Sequence, residues 1–301
     1  MSFQRLRSTL ENYLFILPAV TIFTIFYIIP FFWVFQLSLF KWDGIAFTKT
    51  FVGLRNFMDI FSRDSSDPLW WRSIAQAGYI TLFALTFQNA LAFLLALACD
   101  REIKLKNFYR VVFFIPPVLS EVVVGMVWRL ILNDIDGANL LNRGLIALGL
   151  ENLTRHWIYD QHIALTTVAI VHSWKGFGWG FLIFLAGLQT IPKELYEAAR
   201  VDGANAWQQF LRITLPLMVP VIILVGILTV LGTMQAFVLV KTLIQSEVAG
   251  SISVPVLRIL NSMNNQDLGF GYACAQGLTF GILLVIISFV QNRISKKFSS
   301  L

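Results

Sequence analysis

The sequence predicts an all-α integral membrane protein with six transmembrane helices. Of its 301 residues, 57% are hydrophobic and only 13% are charged, and the mean hydropathy is +0.71. Soluble domains carry about a quarter charged residues, so this chain has too few charges for a soluble surface. Several apolar runs reach about 20 residues, the length that a helix needs to cross a bilayer. The net charge of +6 is therefore expected in cytoplasmic loops and not in a nucleic-acid-binding surface.

Six segments meet this length requirement, and polar connections separate them. In chain order, the predicted spans are residues 13–40, 73–98, 111–132, 163–188, 217–240 and 271–291. Trp70 and Trp71 stand directly before the second span, where an indole ring can lie half in water at the membrane surface. Cys99 and Cys274 lie in or next to apolar runs, which favours ordinary packing over a redox pair.

The first apolar run could also be a signal peptide, because Arg5 and Arg7 precede it. The run is much longer than the roughly 7–15 residues of a signal peptide's hydrophobic region, and no small-residue cleavage site follows it. We therefore expect a transmembrane helix. Bends are expected near Pro18 and Pro30, because proline removes a backbone hydrogen bond from a helix.

The third and fourth spans contain residues that predict close helix packing. The pair Pro116-Pro117 lacks two backbone donors, which predicts a distorted first turn in the third span. A bilayer tolerates such a distortion only where neighbouring helices cover it. In the fourth span, Trp174 is followed by Gly176, Gly178 and Gly180, and small residues allow helix backbones to approach closely.

A polar stretch from Ile191 to Pro220 separates the fourth and fifth spans. Pro192 suits a first helical turn, where its missing N–H is not needed. Glu197 would lie near the positive N-terminal end of that helix. Gly203 can adopt the left-handed conformation that ends a helix, and Asn205 can cap the next one. The stretch therefore predicts a short helix, a glycine turn and a second short helix, followed by a proline where the next apolar run begins.

The same stretch resembles the EAA loop of ABC importer permeases. The matching residues are Glu197-Ala198-Ala199, Asp202-Gly203-Ala204, Phe210, Ile213, Leu215-Pro216 and Pro220. A lone Glu-Ala-Ala triplet would mean little, because both residue types are common in helices. A match across the whole loop, directly before a membrane span, is specific. In this family the loop is the coupling helix, which docks in a groove of the cytoplasmic ATPase.

Other stretches resemble the sugar-importer permeases of this family. They are Phe51–Phe57, Asn139–Gly144, Ala186–Pro192 and Gly269–Ala273. The chain departs from the family where Gln76-Ala77 replaces the usual Asn-Thr. It departs again at Gln235-Ala236-Phe237 and Val248–Ser251, where sugar permeases often carry Phe-Asp and Leu-Thr-Gly-Gly-Pro. These departures concern the substrate more than the membership of the family.

The resemblance implies the type I ABC importer permease fold. It places an N-terminal transmembrane helix and an external loop in residues 1–71, the ABC transmembrane type-1 domain in 72–292 with its EAA loop at 191–216, and a cytoplasmic tail in 293–301. The implied partners are a second homologous permease, two ATPase subunits, an extracytoplasmic solute-binding protein and membrane lipid. No cofactor is expected in this chain, since ATP and Mg²⁺ would bind to the partner ATPase. The second permease could be a paralogue or a copy of this chain.

The resemblance also assigns roles within the loop. The residues implied to contact the ATPase are Glu197, Ala198, Ala199, Asp202, Gly203 and Ala204. Glu197 would anchor the docking through charge-assisted contacts, and the alanines would permit close approach. From the residues alone, the loop could instead be an amphipathic helix in the membrane surface, or Glu197 a simple exposed carboxylate. Interfacial helices favour a cationic polar face, whereas this one carries Glu194 and Glu197.

The distribution of basic residues predicts that both termini are cytoplasmic and that the chain lies in the cytoplasmic membrane. Cytoplasmic loops carry an excess of Lys and Arg. With the N-terminus inside, the inner segments hold Arg5, Arg7, Arg101, Lys104, Lys106, Arg110, Lys193, Arg200, Arg212, Arg293, Lys296 and Lys297. The longer outer loops hold only Lys41, Lys49, Arg55, Arg63, Arg72, Arg143, Arg155 and Arg258. The EAA loop is then inside, where an ATPase can reach it.

Polar and aromatic residues within the spans are candidates for contact with a carbohydrate, because sugars are bound by hydrogen bonds and aromatic faces. The candidates are Gln36, Asn89, Trp128, Trp174 and Gln235. For each of them, a helix–helix hydrogen bond or simple packing is the alternative role. Glu121, Arg129 and Lys175 are ionisable residues in or near spans, where charges are costly and are usually functional or paired.

Several functions can be weighed against this prediction. The chain lacks a G-x-x-x-x-G-K-[ST] loop, so ATP-driven transport would need a partner that hydrolyses the nucleotide. We therefore expect a permease, not an enzyme, that moves a mono- or oligosaccharide by alternating access. The same machinery could import glycerol 3-phosphate or another small solute, for which Arg129 and Lys175 would supply positive charge.

Two further classes stay open from the residues alone. One is a membrane-embedded enzyme with Glu121, His172 and Lys175 as its polar centre, although no catalytic motif accompanies them. The other is a channel that works without ATP. A metal site is not expected, because the three histidines, His156, His162 and His172, do not form an H-E-x-x-H motif.

Overall fold

The computed structural model describes residues 3–45, 47–62, 65–100, 104–133, 139–244 and 252–299, and the side chains of those between 13 and 296. Arg63, Arg101 and the family departure at Val248–Ser251 lie outside the described residues. The described chain is mostly helical. Its α-helices are α1 (Phe3–Phe23), α2 (Ile29–Leu37), α3 (Arg55–Phe61), α4 (Trp70–Phe83), α5 (Asn89–Asp100), α6 (Lys106–Val118), α7 (Glu121–Leu132), α8 (Leu140–Ala147), α9 (Ala164–Leu188), α10 (Lys193–Val201), α11 (Ala206–Gln209), α12 (Leu215–Met234), α13 (Val238–Leu243), α14 (Pro255–Met263) and α15 (Gly269–Ser299).

Helices long and apolar enough to cross a membrane match the predicted spans. Among the described residues there are five such helices, or six if the bent pair α6–α7 counts as one span. The five are Tyr13–Leu37, Trp70–Asp100, Ala164–Leu188, Ala206–Met234 and Gly269–Lys296. The all-α membrane architecture is thereby confirmed, because long apolar helices satisfy their own backbone hydrogen bonds in a bilayer.

The third predicted span is not a continuous helix, and this prediction is corrected. Helices α6 and α7 meet at a 95° bend. The break follows Pro116-Pro117 at Leu119 and Ser120, whose backbones are extended. Neither proline has an N–H, so the carbonyls one turn earlier lose their helical partners and α6 ends within two residues. The distortion therefore lies at the end of the first half-span and not in its first turn.

Within the described residues, three spans contain a widened turn of π-helix, at Thr24–Ile28, Ala84–Gln88 and Phe210–Thr214. The first of these stands directly before Pro30, whereas α1 continues through Pro18. The third stands directly before Pro216. A π turn lets the helix pass a residue that lacks an N–H, because the backbone shifts locally without breaking.

Two further predictions are corrected in the fifth span. The second short helix expected in the 191–220 stretch is the beginning of a continuous helix, Ala206–Met234, that includes the whole fifth span. This span ends at Met234 and not at Val240, because Gln235 terminates α12 and a separate helix α13 follows.

The described residues divide into two compact units. The first consists of residues within 1–68 and 259–282, and it holds a short antiparallel β pair, Phe40–Lys41 with Thr50–Phe51. The amide of Asn56 donates to the Ser38 and Phe40 carbonyls at 2.7 and 3.1 Å. The predicted motif Phe51–Phe57 thus forms a strand, a glycine turn and a helix start.

The second unit consists of residues within 69–258 and 283–301, and its core lies between α5, α9 and the start of α12. Buried residues of this core are Ala92, Ala96, Cys99, Phe177, Phe181, Phe184, Leu185, Leu188, Ile191, Met218 and Val225. Alanines on α5 face phenylalanines on α9, so large and small side chains alternate across the contact. This packing holds the end of α9, from which the 191–220 stretch departs.

Candidate functional site

The 191–220 stretch begins with helix α10 and the glycine turn that ends it. Pro192 is the N-cap of α10, one position earlier than predicted. Gly203 has φ +80°, and a Cβ built there would have open space around it. The requirement for glycine is therefore conformational, since other residues are strained in this region. The amide of Ala204 donates to the Ala199 carbonyl at 2.8 Å and closes the turn. The prediction for Gly203 is confirmed.

Asn205 starts the next helix with a reciprocal pair of hydrogen bonds. Its side chain accepts from the Gln208 amide at 2.9 Å, and the Gln208 side chain accepts from the Asn205 amide at 2.9 Å. This capping box satisfies two donors that a helix start leaves without helical partners. The predicted cap is confirmed. The direction of the chain between α10 and α11 is therefore set by local interactions.

Two contacts attach this loop to the membrane core. Tyr196 and Thr214 share a hydrogen bond of 2.9 Å between their hydroxyls, which joins α10 to the widened turn before α12. Ile191 is buried in the core at the end of α9. A force applied to α10 is consequently transmitted to two spans, α9 and α12.

The outward face of the loop combines charges and apolar side chains. Glu197, Ala198, Asp202 and Gly203 are exposed, whereas Ala199 and Ala204 are half-buried. Exposed apolar residues accompany them: Leu195 at 43%, Val201 at 88% and Trp207 at 66%. Exposed apolar surface beside charged groups is typical of a protein interaction site. All six residues predicted to contact an ATPase lie on this helix and its turn.

A cavity of about 350 Å³ opens between α9 and α12 in the second unit. Its lining residues are Gln88, Glu121, His172, Lys175, Gly176, Trp179, Gly180, Ile183, Val225, Leu228, Thr229, Gly232 and Thr233. The residues from α9 recur every three or four positions, which places them on one face of that helix. The cavity therefore gathers an amide, a carboxyl, an imidazole, an amine and an indole in an otherwise apolar region.

Gln88 is the most specific feature of this cavity. Its side chain is only 6% exposed, and Oε1 is buried without a hydrogen-bond partner. A Cβ built on Gly176 would lie 2.5 Å from this oxygen, so the glycine makes room for the amide. Gln88 is also the last residue of the π turn Ala84–Gln88, and such turns frequently occur at functional sites. A buried acceptor without a donor is costly, and a ligand that donates a hydrogen bond would remove that cost.

None of the five predicted substrate contacts is among the lining residues of the cavity. Asn89 accepts a hydrogen bond of 3.1 Å from Thr229. This is a helix–helix hydrogen bond, the alternative role considered for Asn89. Trp128 and Trp174 meet edge to face, with ring centroids 5.5 Å apart. Gln235 is exposed just beyond the end of α12, and Gln36 is exposed on α2 in the first unit.

The predicted substrate contacts included Asn89 but not its neighbour Gln88. Both are amides in the same apolar span, and only the packing distinguishes them. Gly176, which lies opposite Gln88, was the one feature of the sequence that could have indicated it. Their pairing, however, depends on a tertiary contact. Glu121, His172 and Lys175 were singled out from the sequence, and they line one cavity. Among the described residues, no group of three or more His, Cys, Asp or Glu side chains could hold a metal ion.

Known proteins resemble this chain over nearly its whole length. The probable ABC transporter permease protein YurN of Bacillus subtilis is 32% identical over 94% of this chain and 95% of its own. The arabinooligosaccharides transport system permease protein AraP of the same organism is 30% identical, with coverage of 95% and 88%. The trehalose/maltose transport system permease protein MalF of Thermococcus litoralis is 30% identical, with coverage of 91% and 90%.

A solved structure agrees with the fold. A chain of a bacterial ABC transporter involved in the import of the acidic polysaccharide alginate superposes with a TM-score of 0.80, at 23% identity and 98% coverage of both chains. The predicted type I permease fold is thereby confirmed.

The family settles the general class of function. Residues 88–300 match the family described as binding-protein-dependent transport system inner membrane component. Its members are transport permeases and not enzymes, so the enzyme alternative built on Glu121, His172 and Lys175 is set aside. The ATPase of such importers is a separate subunit. This chain, with its EAA loop and its membrane-spanning helices, belongs to the family of binding-protein-dependent transport system inner membrane components, the permease subunits of ABC importers.

Proposed function

We propose that this chain translocates a mono- or oligosaccharide through the cavity between α9 and α12. Relatives named for arabinooligosaccharides and for trehalose or maltose support a carbohydrate substrate. The chain would work with a second permease, two ATPase subunits that bind ATP and Mg²⁺, and an extracytoplasmic solute-binding protein. Closure of the ATPases would move the docked α10, and α9 and α12 would turn with it. The cavity would then open alternately to either side of the membrane.

The observation that carries this proposal is the buried, unpartnered Oε1 of Gln88 in the wall of the cavity. A sugar hydroxyl can donate to this oxygen once the side chain turns into the cavity. The Glu121 carboxyl offers further acceptors, Lys175 offers donors, and the exposed indole of Trp179 offers an aromatic face. This mixture of a few polar groups with apolar walls is the usual composition of a small-molecule site.

The same lining argues against the alternative substrate, glycerol 3-phosphate. A phosphate would be attracted by Lys175 and repelled by Glu121, and both residues line the cavity. The other cation considered from the sequence, Arg129, is not among the lining residues. A phosphate site needs an excess of positive charge, whereas a neutral sugar needs donors and acceptors in balance.

The coupling role of α10 rests on its exposed face and its anchoring. Glu197 offers a carboxylate for charge-assisted contacts with an ATPase. The exposed Val201 and Trp207 add apolar surface that a partner would cover. Both termini and this loop would be cytoplasmic, in agreement with the excess of basic residues in the inner segments.

The test is sugar uptake by the complete transporter in proteoliposomes, with Gln88→Leu compared with the native chain. Loss of one hydrogen bond to the substrate should raise the apparent KM for transport about tenfold, with little change in maximal rate. Thr86→Val is the matched control, because Thr86 lies in the same π turn and its hydroxyl bonds only to its own helix, at the Leu82 and Phe83 carbonyls.

Three outcomes distinguish the possibilities. A raised KM in Gln88→Leu with a native KM in Thr86→Val would support the cavity as the sugar site. Equal KM values in all three proteins would contradict it. Uptake of glycerol 3-phosphate in preference to every sugar tested would replace the carbohydrate with a phosphate substrate.

A further inference from the structure

A second concavity lies on the side of α6, apart from the proposed sugar cavity. Its volume is about 400 Å³, and its lining residues are Arg110, Val111, Phe114, Ile115, Val118, Leu119 and Leu182. Every lining residue except Arg110 is apolar. Val111, Ile115 and Val118 are 62%, 49% and 67% exposed, so the groove is open at the surface of this chain.

Arg110 carries a positive charge that the described residues leave partly without partners. Its Nε and Nη2 atoms are buried, and neither has a hydrogen-bond partner. A guanidinium has five N–H donors and is always charged, so burial of two nitrogens without acceptors is costly. The cost is removed if the guanidinium turns toward the head of the groove and binds an anion there.

The position of Arg110 along α6 places this charge near one end of the membrane core. Phe113 contacts Phe181 and Pro117 lies against Gly178, so α6 and α9 run antiparallel. Arg110 therefore lies toward the Leu188 end of α9, from which the coupling loop departs. Lys106, one turn earlier on the same face of α6, and Lys104 add positive charge beyond Arg110.

The apolar residues follow Arg110 in the opposite direction, deeper along the same helix. Phe114 and Val118 are one and two turns further on, and Leu182 of α9 contributes to the lining. The groove thus has a cationic head and a hydrocarbon-like body. A ligand that complements both parts has an anionic headgroup joined to an acyl chain.

We propose that this groove binds one anionic phospholipid, with its phosphate at Arg110 and an acyl chain along Phe114, Ile115 and Val118. Basic pockets between membrane helices on the cytoplasmic side bind such headgroups. Lys104 and Lys106 attract anionic lipid to the site, and Arg110 forms charge-assisted hydrogen bonds with the phosphate. The lipid site is independent of the transported substrate.

The first experiment measures lipid retained by the intact transporter. The complex is placed in nanodiscs that contain equal amounts of phosphatidylglycerol and phosphatidylcholine with identical acyl chains. After release, native mass spectrometry counts the lipids that remain bound. The native protein should retain phosphatidylglycerol preferentially, and Arg110→Gln should lower this preference about fivefold. Arg293→Gln is the control, because it removes a basic residue of the same predicted side that does not line the groove.

A second experiment identifies the occupant directly and does not depend on Arg110→Gln being stable. A photoactivatable phenylalanine analogue replaces Ile115 in cells, and the adduct formed on illumination is weighed. An adduct with the mass of a phospholipid supports the proposal. An adduct with another protein chain, or equal phosphatidylglycerol retention by the native protein and Arg110→Gln, would overturn it. Arg110→Lys, which keeps the charge, should retain more phosphatidylglycerol than Arg110→Gln.

Discussion

At the scale of single residues, Gly178 of α9 compensates for a hydrogen bond that Pro117 of α6 cannot make. Pro117 has no N–H for the carbonyl of Phe113, one turn earlier in α6. Gly178 of α9 lies directly against this carbonyl, and a Cβ on Gly178 would clash with it and with the Pro117 ring. The absence of a side chain lets a second helix cover the free carbonyl, as a membrane environment requires. The predicted close packing at the glycines of the fourth span is therefore confirmed.

Replacement of this glycine tests the packing. Gly178→Val should destabilise the protein by about 1–3 kcal/mol, because the added atoms force α6 away from α9. The measurement is thermal unfolding in detergent, with the native chain and Gly281→Val in parallel. Gly281 is also helical, but a Cβ there has no atom within 4 Å. Similar losses in both variants would show that the contact with Phe113 does not explain the effect, since valine has a better helix propensity than glycine.

At the scale of elements, the turn between α10 and α11 is defined by local geometry. The left-handed Gly203 ends α10, and the capping box of Asn205 and Gln208 starts α11. Between them stands one residue, Ala204, whose amide closes the turn on the Ala199 carbonyl at 2.8 Å. The loop thus presents Glu197 and Asp202 on a surface whose orientation is set by hydrogen bonds within the loop and by the Tyr196–Thr214 contact.

The coupling role predicts the effect of reversing one charge. Glu197→Arg should abolish co-purification of the ATPase, because the exposed carboxylate would become a cation at the docking surface. The fold should be unaffected, since Glu197 is exposed. A pull-down from solubilised membranes measures the association, and substrate-stimulated ATP hydrolysis measures the coupling.

Glu194→Arg is the matched control for this experiment, because Glu194 is an exposed carboxylate of the same helix outside the EAA pattern. If Glu197→Arg still brings down a fully coupled ATPase, Glu197 is only a solvent-exposed carboxylate. If both variants lose the ATPase equally, the helix contributes general negative charge and the specific role of Glu197 is refuted.

At the scale of the whole molecule, the proposed orientation in the membrane rests on the distribution of charge. The segments predicted to be inside carry more Lys and Arg than the longer outer loops. Substituted-cysteine labelling in whole cells tests this arrangement, because both native cysteines are buried. A cysteine at the exposed Phe47 should react with an impermeant reagent, whereas one at Lys296 should react only after the membrane is opened. The opposite pattern would reverse the proposed topology.

Much of the architecture could be predicted because it depends on length and composition. The bounds of the second and fourth spans, 73–98 and 163–188, lie within a few residues of Trp70–Asp100 and Ala164–Leu188. The glycine turn and the Asn205 cap were predictable for a related reason. Each depends on the conformational preference of one residue and its close neighbours.

The break between α6 and α7 could not be located from local sequence patterns. The sequence indicates that Pro116-Pro117 disturbs a helix, but the position and angle of the break depend on which neighbour covers the free carbonyls. The extension of α11 into the fifth span is a similar case. Local rules place a helix boundary at Pro216 because proline lacks an N–H, but a π turn before it lets the helix continue.

The sequence by itself determined the class of this protein, most of its membrane spans and its family, since apolar length and short motifs act locally along the chain. Only the tertiary structure decided which polar residues share a cavity. Gln88 and Asn89 are neighbours with the same chemistry, yet one amide bonds to Thr229, whereas the other lines the cavity with its oxygen buried and unpartnered. That difference arises from packing against α9 and α12, which are distant in the sequence, and no local pattern contains it.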